Sequence, residues 1–238
     1  MLRAVTALIF LLLCGMVYSD TAANSPPLLE PFTANYGAKY KGMHLKAKRI
    51  LEPLGNGQYR ITSHAKHLFF GGIKESSEFS LQDGRIQPTS YQMKRKILGS
   101  GRTETAAFDW DNNLVTSTYK GDSNELALTG QELDWLGYQL QISLDLMAGK
   151  DELHYQIVRR GQIKDYYFQV VGEEKIDTPM GEINTVKLER VKDPNKRQTT
   201  FWMAPKYNYL LVKFHRVEND GDEYSLYLRD LEMTDTGQ

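Results

Sequence analysis

Apolar and polar residues alternate along most of the chain from Phe32 onward, with the two-residue period of a half-buried β-strand. In "FTANYGAKYKGMHLKAKRIL", for example, Tyr36 and Ala38 fall on one side and Lys39 falls on the other. Turn signals separate such runs at regular intervals, and "QDG", which ends at Gly84, is typical of a hairpin. The pattern predicts a mainly β fold with a single antiparallel sheet, either strongly curved or forming an open half barrel.

One segment has a helical period instead. In "LTGQELDWLGYQLQISLDLMAGK" the apolar residues three or four positions apart are Leu133, Leu136, Leu140, Leu144 and Met147. Thr129 and Glu132 have the spacing of a capping box, and Gly149 suits a C-terminal cap. We therefore predict one amphipathic helix from about 130 to 148, whose apolar stripe packs against the sheet.

The first residues, "MLRAVTALIFLLLCGMVYSD", have the layout of a secretory signal peptide. Arg3 precedes an apolar run that is short for a membrane-spanning helix, and small or polar residues follow it. Cleavage is expected after Ser19 or, alternatively, after Ala23; an uncleaved anchor is the other interpretation. Residues 20–31 then form a flexible leader that contains three prolines. The pattern predicts a periplasmic protein with no transmembrane span after cleavage.

The cysteine content and the charge limit which bonds and partners the protein can have. Cys14 is the only cysteine, so the chain after cleavage forms no disulfide and has no thiolate metal site. A leucine precedes Cys14 where a bacterial lipoprotein signal requires a small residue, which argues against lipidation. The 29 Lys and Arg balance 30 Asp and Glu, so no global field attracts nucleic acid. We predict a single domain over residues 32–234 and no nucleic-acid partner.

The segment "FDWDNN" is the strongest candidate for chemistry. Asp109 and Asp111 lie two residues apart, so on a strand they would share a face as an acid–base pair or as metal ligands. The full calcium-loop pattern is missing, and Asp and Asn also favour turns. We favour a turn in which Trp110 is an aromatic anchor. No nucleophile elbow, phosphate loop or zinc-type histidine spacing is present, so no catalytic residue, metal or cofactor is predicted.

Several phrases occur together in a fixed order: "FTANYGAKYKGMHL", "RIQPTSYQ", "FDW", "ELDWLGYQLQISLDL", "YYFQVVGEEKIDTPMGEINTVKLERV" and "FWMAPKYNYLLVKF". In this set the chain resembles the bacterial envelope proteins grouped as domain of unknown function 3108, over about residues 32–232. The resemblance implies an export signal and a largely antiparallel β domain with a helix, and it brings no reaction. The predicted architecture is also similar to the half-barrel carriers of lipoproteins and lipids in the bacterial envelope.

These observations favour a non-catalytic binding module that holds an apolar ligand, a lipid or an acyl chain, in a curved β cavity. The predicted ligand contacts are Trp110, Leu133, Trp135, Leu136, Leu140 and Phe168. Two alternatives stay open at this point. The protein could be a structural or assembly partner of another envelope protein, or a hydrolase that uses Asp109 and Asp111.

Overall fold

The computed structural model describes residues 29–40, 42–67, 71–97, 99–191, 193 and 197–234. The predicted signal peptide with both cleavage sites, and most of the predicted leader, lie outside the described residues. The elements in chain order are β1 (Phe32–Tyr40), β2 (Met43–Gly55), β3 (Gln58–His67), β4 (Gly71–Gln82), β5 (Arg85–Ile97), β6 (Ser100–Asp109), β7 (Leu114–Tyr119), β8 (Asp122–Ala127), β9 (Glu132–Leu133), α1 (Gly137–Met147), β10 (Glu152–Arg159), β11 (Gln162–Thr178), β12 (Gly181–Val191), β13 (Gln198–Ala204), a 3-10 turn (Pro205–Tyr207), β14 (Leu210–Val217) and β15 (Glu223–Met233).

All fifteen described strands hydrogen-bond into one sheet, which runs as a meander from β8 to β1, then from β15 back to β9. The first and last strands, β1 and β15, join the two halves in an antiparallel pair. The other neighbours are also antiparallel, except that β9 pairs in parallel with β10. The mainly β fold with a helix is confirmed, and the strictly antiparallel sheet is wrong at this edge. The two strands are parallel because α1 connects them, so the chain enters β10 in the same direction as β9.

The predicted hairpins are present, with the backbone geometry that their sequences require. At the β4–β5 turn, Asp83 has φ 49° and Gly84 has φ 73°. At the β2–β3 turn, Asn56 has φ 52° and Gly57 has φ 72°. Two successive positive φ values match the right-handed twist of the flanking strands, so these turns fix the register of the first half of the sheet.

The sheet bends around α1, which contacts β5 on one side and β10 on the other. Nine of the eleven helix residues are buried, including the polar Gln141, Ser143 and Asp145. The predicted apolar stripe does pack in the core, but the helix is not amphipathic, because the residues on its other face are buried as well. Two of these polar side chains have hydrogen-bond partners on neighbouring strands. Gln141 accepts the backbone N–H of Ile86 at 2.8 Å, and Asp145 accepts the Tyr155 hydroxyl at 2.8 Å.

The helix begins at Gly137 rather than near residue 130. Thr129 and Glu132 do bond to each other, with the Thr129 N–H donating to the Glu132 carboxylate at 2.8 Å, but they close a loop before β9. Asp134 supplies the acceptor at the helix start, where its Oδ1 accepts the N–H groups of Leu136 and Gly137. A carboxylate here also complements the positive end of the helix dipole.

The two edges of the sheet do not pair with each other, but side chains tie the β10–β11 turn to the opposite edge. Ser117 on β7 accepts the N–H of Gly161 at 3.1 Å, and Glu104 on β6 accepts the N–H of Arg160 at 2.7 Å. Asn124 on β8 donates to the carbonyl of Gly161. Ser117 and Glu104 are buried, so they satisfy backbone donors that the sheet ladder leaves unpaired.

The main apolar core lies between α1 and the surrounding strands. A second cluster forms where Ile176 and Ile183, at the distal end of the β11–β12 hairpin, meet Trp202 and Val212. Because Trp202 alternates with Phe201, which belongs to the main core, the two clusters use opposite faces of β13.

The join between β1 and β15 depends on one close approach. Gly37 pairs with Tyr227 across the strands, and a Cβ on Gly37 would lie only 2.2 Å from the Tyr227 ring. The φ of Gly37 is not in the positive region, so the glycine is required for space rather than for backbone freedom.

Candidate functional site

The segment "FDWDNN" forms the turn between β6 and β7. The carboxylate of Asp109 accepts the backbone N–H and the side-chain amide of Asn112, at 3.0 and 2.8 Å. These bonds from Asn112 hold the pKa of Asp109 below its usual value. Trp110 stacks on Phe108 and donates from Nε1 to the carbonyl of Pro88 at 2.6 Å. Asp109 and Asp111 are exposed at the surface. The segment is therefore a turn that Trp110 anchors to β5.

The six residues predicted as ligand contacts fall into three places. Leu133, Leu136, Leu140 and Phe168 are buried in the core around α1. Trp110 packs against the edge of that core at the β6–β7 turn. Trp135, just before the helix, is the member of the set that lines the large cavity. A role in ligand binding remains a prediction for all six.

A cavity of about 1210 Å³ opens between the two halves of the sheet at the N-terminal end of α1. Strands from both halves contribute to its wall, and Trp135, Tyr138 and Gln139 close it from the helix side. Its volume exceeds the range of about 300–1,000 Å³ that is usual for small-molecule sites.

Part of the wall is apolar and aromatic. Phe201 and Phe214 contact each other edge to face with their ring centroids 5.2 Å apart, and both line the cavity. Aliphatic lining comes from Leu45, Ile73, Met93, Leu211 and Leu226. This part of the wall offers dispersion contacts but no hydrogen bonds, so it suits a hydrocarbon portion of a ligand.

The rest of the wall is strongly cationic. Eight of the chain's twelve arginines line the cavity, although the whole chain has a net charge of only -1. Three of the eight form salt bridges with described carboxylates: Arg190, Arg197 and Arg216. The others form none with the described residues: Arg49, Arg95, Arg102, Arg159 and Arg160.

Two of these arginines stack on neighbouring aromatic rings. The Arg159 guanidinium lies 3.3 Å from the ring centroid of Trp135, and that of Arg190 lies 3.7 Å from the centroid of Tyr166. The Trp135 and Tyr166 rings are themselves 6.0 Å apart, edge to face. Stacking fixes the planes of the two guanidinium groups, so their donors are oriented before any ligand arrives.

Two further arginines converge on the same place. Arg49 donates from Nη2 to the Gln139 side chain at 2.6 Å. Burial raises the pKa of the Tyr138 hydroxyl, and the positive charges of Arg159, Arg49 and Arg216 act against that rise. These guanidinium groups therefore lie close enough to Tyr138 to share one electrostatic environment. We call Arg49, Arg159, Arg190 and Arg216 the arginine cluster.

The acidic residues of the wall offset little of this charge. Its acids are Glu75, Asp165 and Glu218. Burial raises the pKa of Glu75, which accepts the Tyr91 hydroxyl at 2.9 Å. Asp165 bonds to His154, and Glu218 pairs with Arg216. The cavity wall thus keeps an excess of positive charge.

Sequence reasoning missed the arginine cluster, although a signal for it exists. Arg159 lies two residues after the buried Ile157, and Arg190 lies two residues after the buried Leu188. Each arginine therefore continues the inward-facing positions of its strand. An arginine in an otherwise apolar inward register indicates a polar interior, whereas lysines and arginines on strands are ordinarily assigned to the solvent face.

Comparison with known proteins bears on the fold and the family. The model of the family "Protein of unknown function (DUF3108)" matches residues 36–229. The chain belongs to this family. The resemblance read from the ordered sequence phrases is thereby confirmed, and the DUF3108 family name carries no reaction or ligand. No functionally curated protein is significantly similar to the chain in sequence.

Two solved structures are similar to this DUF3108 chain. One is a beta-barrel-like protein of domain of unknown function DUF1849 from Brucella abortus, with 12% identity and a TM-score of 0.55. That alignment covers 87% of this chain and 99% of the other, and at this identity it shows the fold alone. The other is a putative outer membrane lipoprotein-sorting protein domain from Vibrio parahaemolyticus, with 10% identity, a TM-score of 0.24, and coverage of 88% and 87%.

Within the described part of the chain, no helix is both long enough and apolar enough to cross a membrane. No group of three or more His, Cys, Asp or Glu side chains in the same residues is placed to hold a metal ion.

Proposed function

We propose that this DUF3108 protein is a non-catalytic binding module of the bacterial envelope that holds a lipid or another acyl-chain ligand in the cavity. The observation that carries the proposal is the cavity itself, at about 1210 Å³ and with an aliphatic and aromatic wall. A concave space of this volume with an aliphatic and aromatic wall has the usual form of a ligand site, which supports the proposal.

The wall is polar as well as apolar, which refines the ligand expected from the sequence. A purely apolar ligand would leave buried guanidinium groups without partners, and burying such groups unpaired is costly. The supporting geometry therefore favours an amphiphile, with a hydrocarbon portion against Phe201, Phe214 and Leu226. The envelope location rests on the export signal predicted in the first 19 residues, and it remains part of the proposal.

The turn geometry of "FDWDNN" supports binding over hydrolysis. The Asp109 carboxylate is occupied by two bonds from Asn112, and its lowered pKa is unsuited to a general base near neutral pH. The hydrolase hypothesis remains a prediction, to be tested by replacing Asp109 with asparagine and assaying for activity and stability together.

The test is to express the full chain with its own signal in a bacterial periplasm and measure its native mass before and after solvent extraction. We expect a mass excess of lipid size that disappears on extraction, and the intact mass also reports the cleavage site. A mature protein that is free of ligand before extraction would count against the proposal.

Two tryptophan variants provide a matched comparison. Ala65 on β3 lines the cavity, whereas Ala107 on β6 is exposed. Ala65→Trp should reduce the retained lipid by occupying its volume, and Ala107→Trp should leave it unchanged. Equal retention by the two folded variants would place the ligand outside the cavity.

A further inference from the structure

Four arginines of the cavity wall, three of them in the arginine cluster, have a donor without a partner among the described residues. The Nε atoms of Arg95, Arg159, Arg190 and Arg216 are buried and have no hydrogen-bond partner among the described residues. All four arginines line the cavity. Buried donors are almost always paired in folded proteins, so these unpaired groups mean that the chain only partly compensates the guanidinium groups of the cavity wall.

Several of these arginine side chains are deeply buried, which makes an uncompensated charge more costly. The side chain of Arg190 is only 4% exposed, and that of Arg216 is 16% exposed. One carboxylate, Asp193, is shared between Arg190 and Arg197. Bringing a guanidinium out of water is unfavourable unless its charge is neutralised and its donors are used. Arg159 lies over the Trp135 ring, has no salt bridge to a described carboxylate, and its buried Nε has no partner among the described residues.

We propose that the cavity selects an anionic amphiphile, whose phosphate-type head group is bound by Arg49, Arg159, Arg190 and Arg216 while its hydrocarbon tail lies against Phe201 and Phe214. This inference rests on the proposed binding function and names the ligand class of the same site. The planar fork of arginine binds phosphate and carboxylate oxygens through two parallel hydrogen bonds. Several forks around one space suit a phosphate, which presents more acceptor oxygens than a carboxylate does.

A basic surface outside the cavity supports an anionic ligand. This surface, formed by β3–β6 and the β7–β8 turn, shares Ile73, Arg95 and Arg102 with the cavity wall. Its described lining contains five lysines and no carboxylate: Lys66, Lys74, Lys94, Lys96 and Lys120. Lys74 and Lys94 are even directly opposite each other across β4 and β5, an arrangement of like charges that destabilises a sheet. The positive potential thus continues from the cavity to the surface, where it would attract anionic head groups.

The experiment compares three single-chain amphiphiles that differ in head group. The delipidated full chain after signal removal is titrated with dodecyl phosphate, dodecyl maltoside and dodecyltrimethylammonium, each below its micelle concentration. Displacement of the uncharged fluorophore N-phenyl-1-naphthylamine reports binding. We expect dodecyl phosphate to bind roughly tenfold or more tightly than dodecyl maltoside, with a preference that weakens as salt is raised.

Arginine variants assign that preference to the cluster. Arg159→Gln and Arg49→Gln remove guanidinium groups that have no salt bridge with a described carboxylate, so folding should be little affected. Each should weaken dodecyl phosphate binding by roughly tenfold, since a charge-assisted hydrogen bond contributes about that factor. Dodecyl maltoside affinity should stay the same. Arg229→Gln, an exposed arginine on β15, is the matched control and should change neither affinity.

The outcomes separate this inference from the proposed function. Equal affinity for all three amphiphiles would refute the anionic head group and leave lipid binding in place. Failure of all three to displace the fluorophore from folded protein would refute both. A fourth titration uses inorganic phosphate: binding as tight as that of dodecyl phosphate would assign the site to free phosphate rather than to a lipid. Loss of the preference in Arg159→Lys, which keeps the charge without the fork, would support bidentate recognition.

Discussion

The ionisation of Asp134 should make the free energy of unfolding depend on pH. It lies between β9 and α1, is fully buried, and accepts hydrogen bonds from Ser77 and from the backbone N–H groups of Leu136 and Gly137. Burial, with a smaller effect of the negative charge of Glu75, raises the pKa of Asp134 from 3.8 to about 6. The three hydrogen bonds act in the opposite direction.

The sign of the stability change follows from this raised pKa. As pH rises from about 4 to about 6, the carboxyl loses its proton in the unfolded chain before it loses it in the folded one. The folded state then binds more protons, so the free energy of unfolding falls with rising pH and levels off above pH 6. At about 1.36 kcal/mol per pKa unit, the Asp134 contribution to this fall is roughly 3 kcal/mol.

The test replaces Asp134 with asparagine, which keeps an acceptor for the two N–H groups and does not ionise. Urea unfolding followed by tryptophan fluorescence gives the free energy of unfolding of both proteins between about pH 4 and pH 8. We expect the stability of Asp134→Asn relative to the unmodified protein to increase by roughly 2–2.5 kcal/mol across this range, because the unfolded carboxyl is already more than half ionised at pH 4. Asp109→Asn, at an exposed carboxylate, should show no such increase. A stability difference that does not change with pH would refute the reasoning.

Three other substitutions test how the sheet is held together. Trp110→Phe keeps the ring but loses the indole bond to the β5 backbone, and urea unfolding should show a loss of about 1 kcal/mol with amphiphile binding unchanged. Ser117→Ala leaves the buried N–H of Gly161 unpaired, so stability should fall by about 1–3 kcal/mol and hydrogen exchange at the β10–β11 turn should accelerate. Gly37→Ala places a methyl group against the Tyr227 ring, so the free energy of unfolding should fall by about 1–3 kcal/mol. A second change of Tyr227 to serine should recover part of that loss.

The strands and their turns were predictable because the signals are local. The alternation of residues and the "QDG" turn act over a few positions, and the structure places β4, β5 and their turn where these signals lie. The helix start was not predictable in this way. Thr129 and Glu132 do bond as a capping pair would, but β9 follows them because Glu132 and Leu133 pair with β10, a strand about twenty residues later in the chain.

The "FDWDNN" segment shows the same division between local and distant contacts. The turn itself follows from Asp109 and Asn112, which bond to each other within three residues. The acceptor for Trp110 is a carbonyl on β5, at Pro88, and only the pairing of β5 with β6 brings it there. The sequence therefore indicated an aromatic anchor without identifying what it anchors to.

The sequence by itself determined the strand-rich class, the hairpin register and the family, since these depend on local periodicity and on an ordered set of phrases. Only the tertiary structure decided where the charge lies. The arginines of the cluster come from four strands, β2, β10, β12 and β14, that are far apart in the chain. They meet because the sheet bends around α1, and bending turns one face of every strand toward a common space. Local patterns record which face a residue takes, whereas curvature determines what that face encloses.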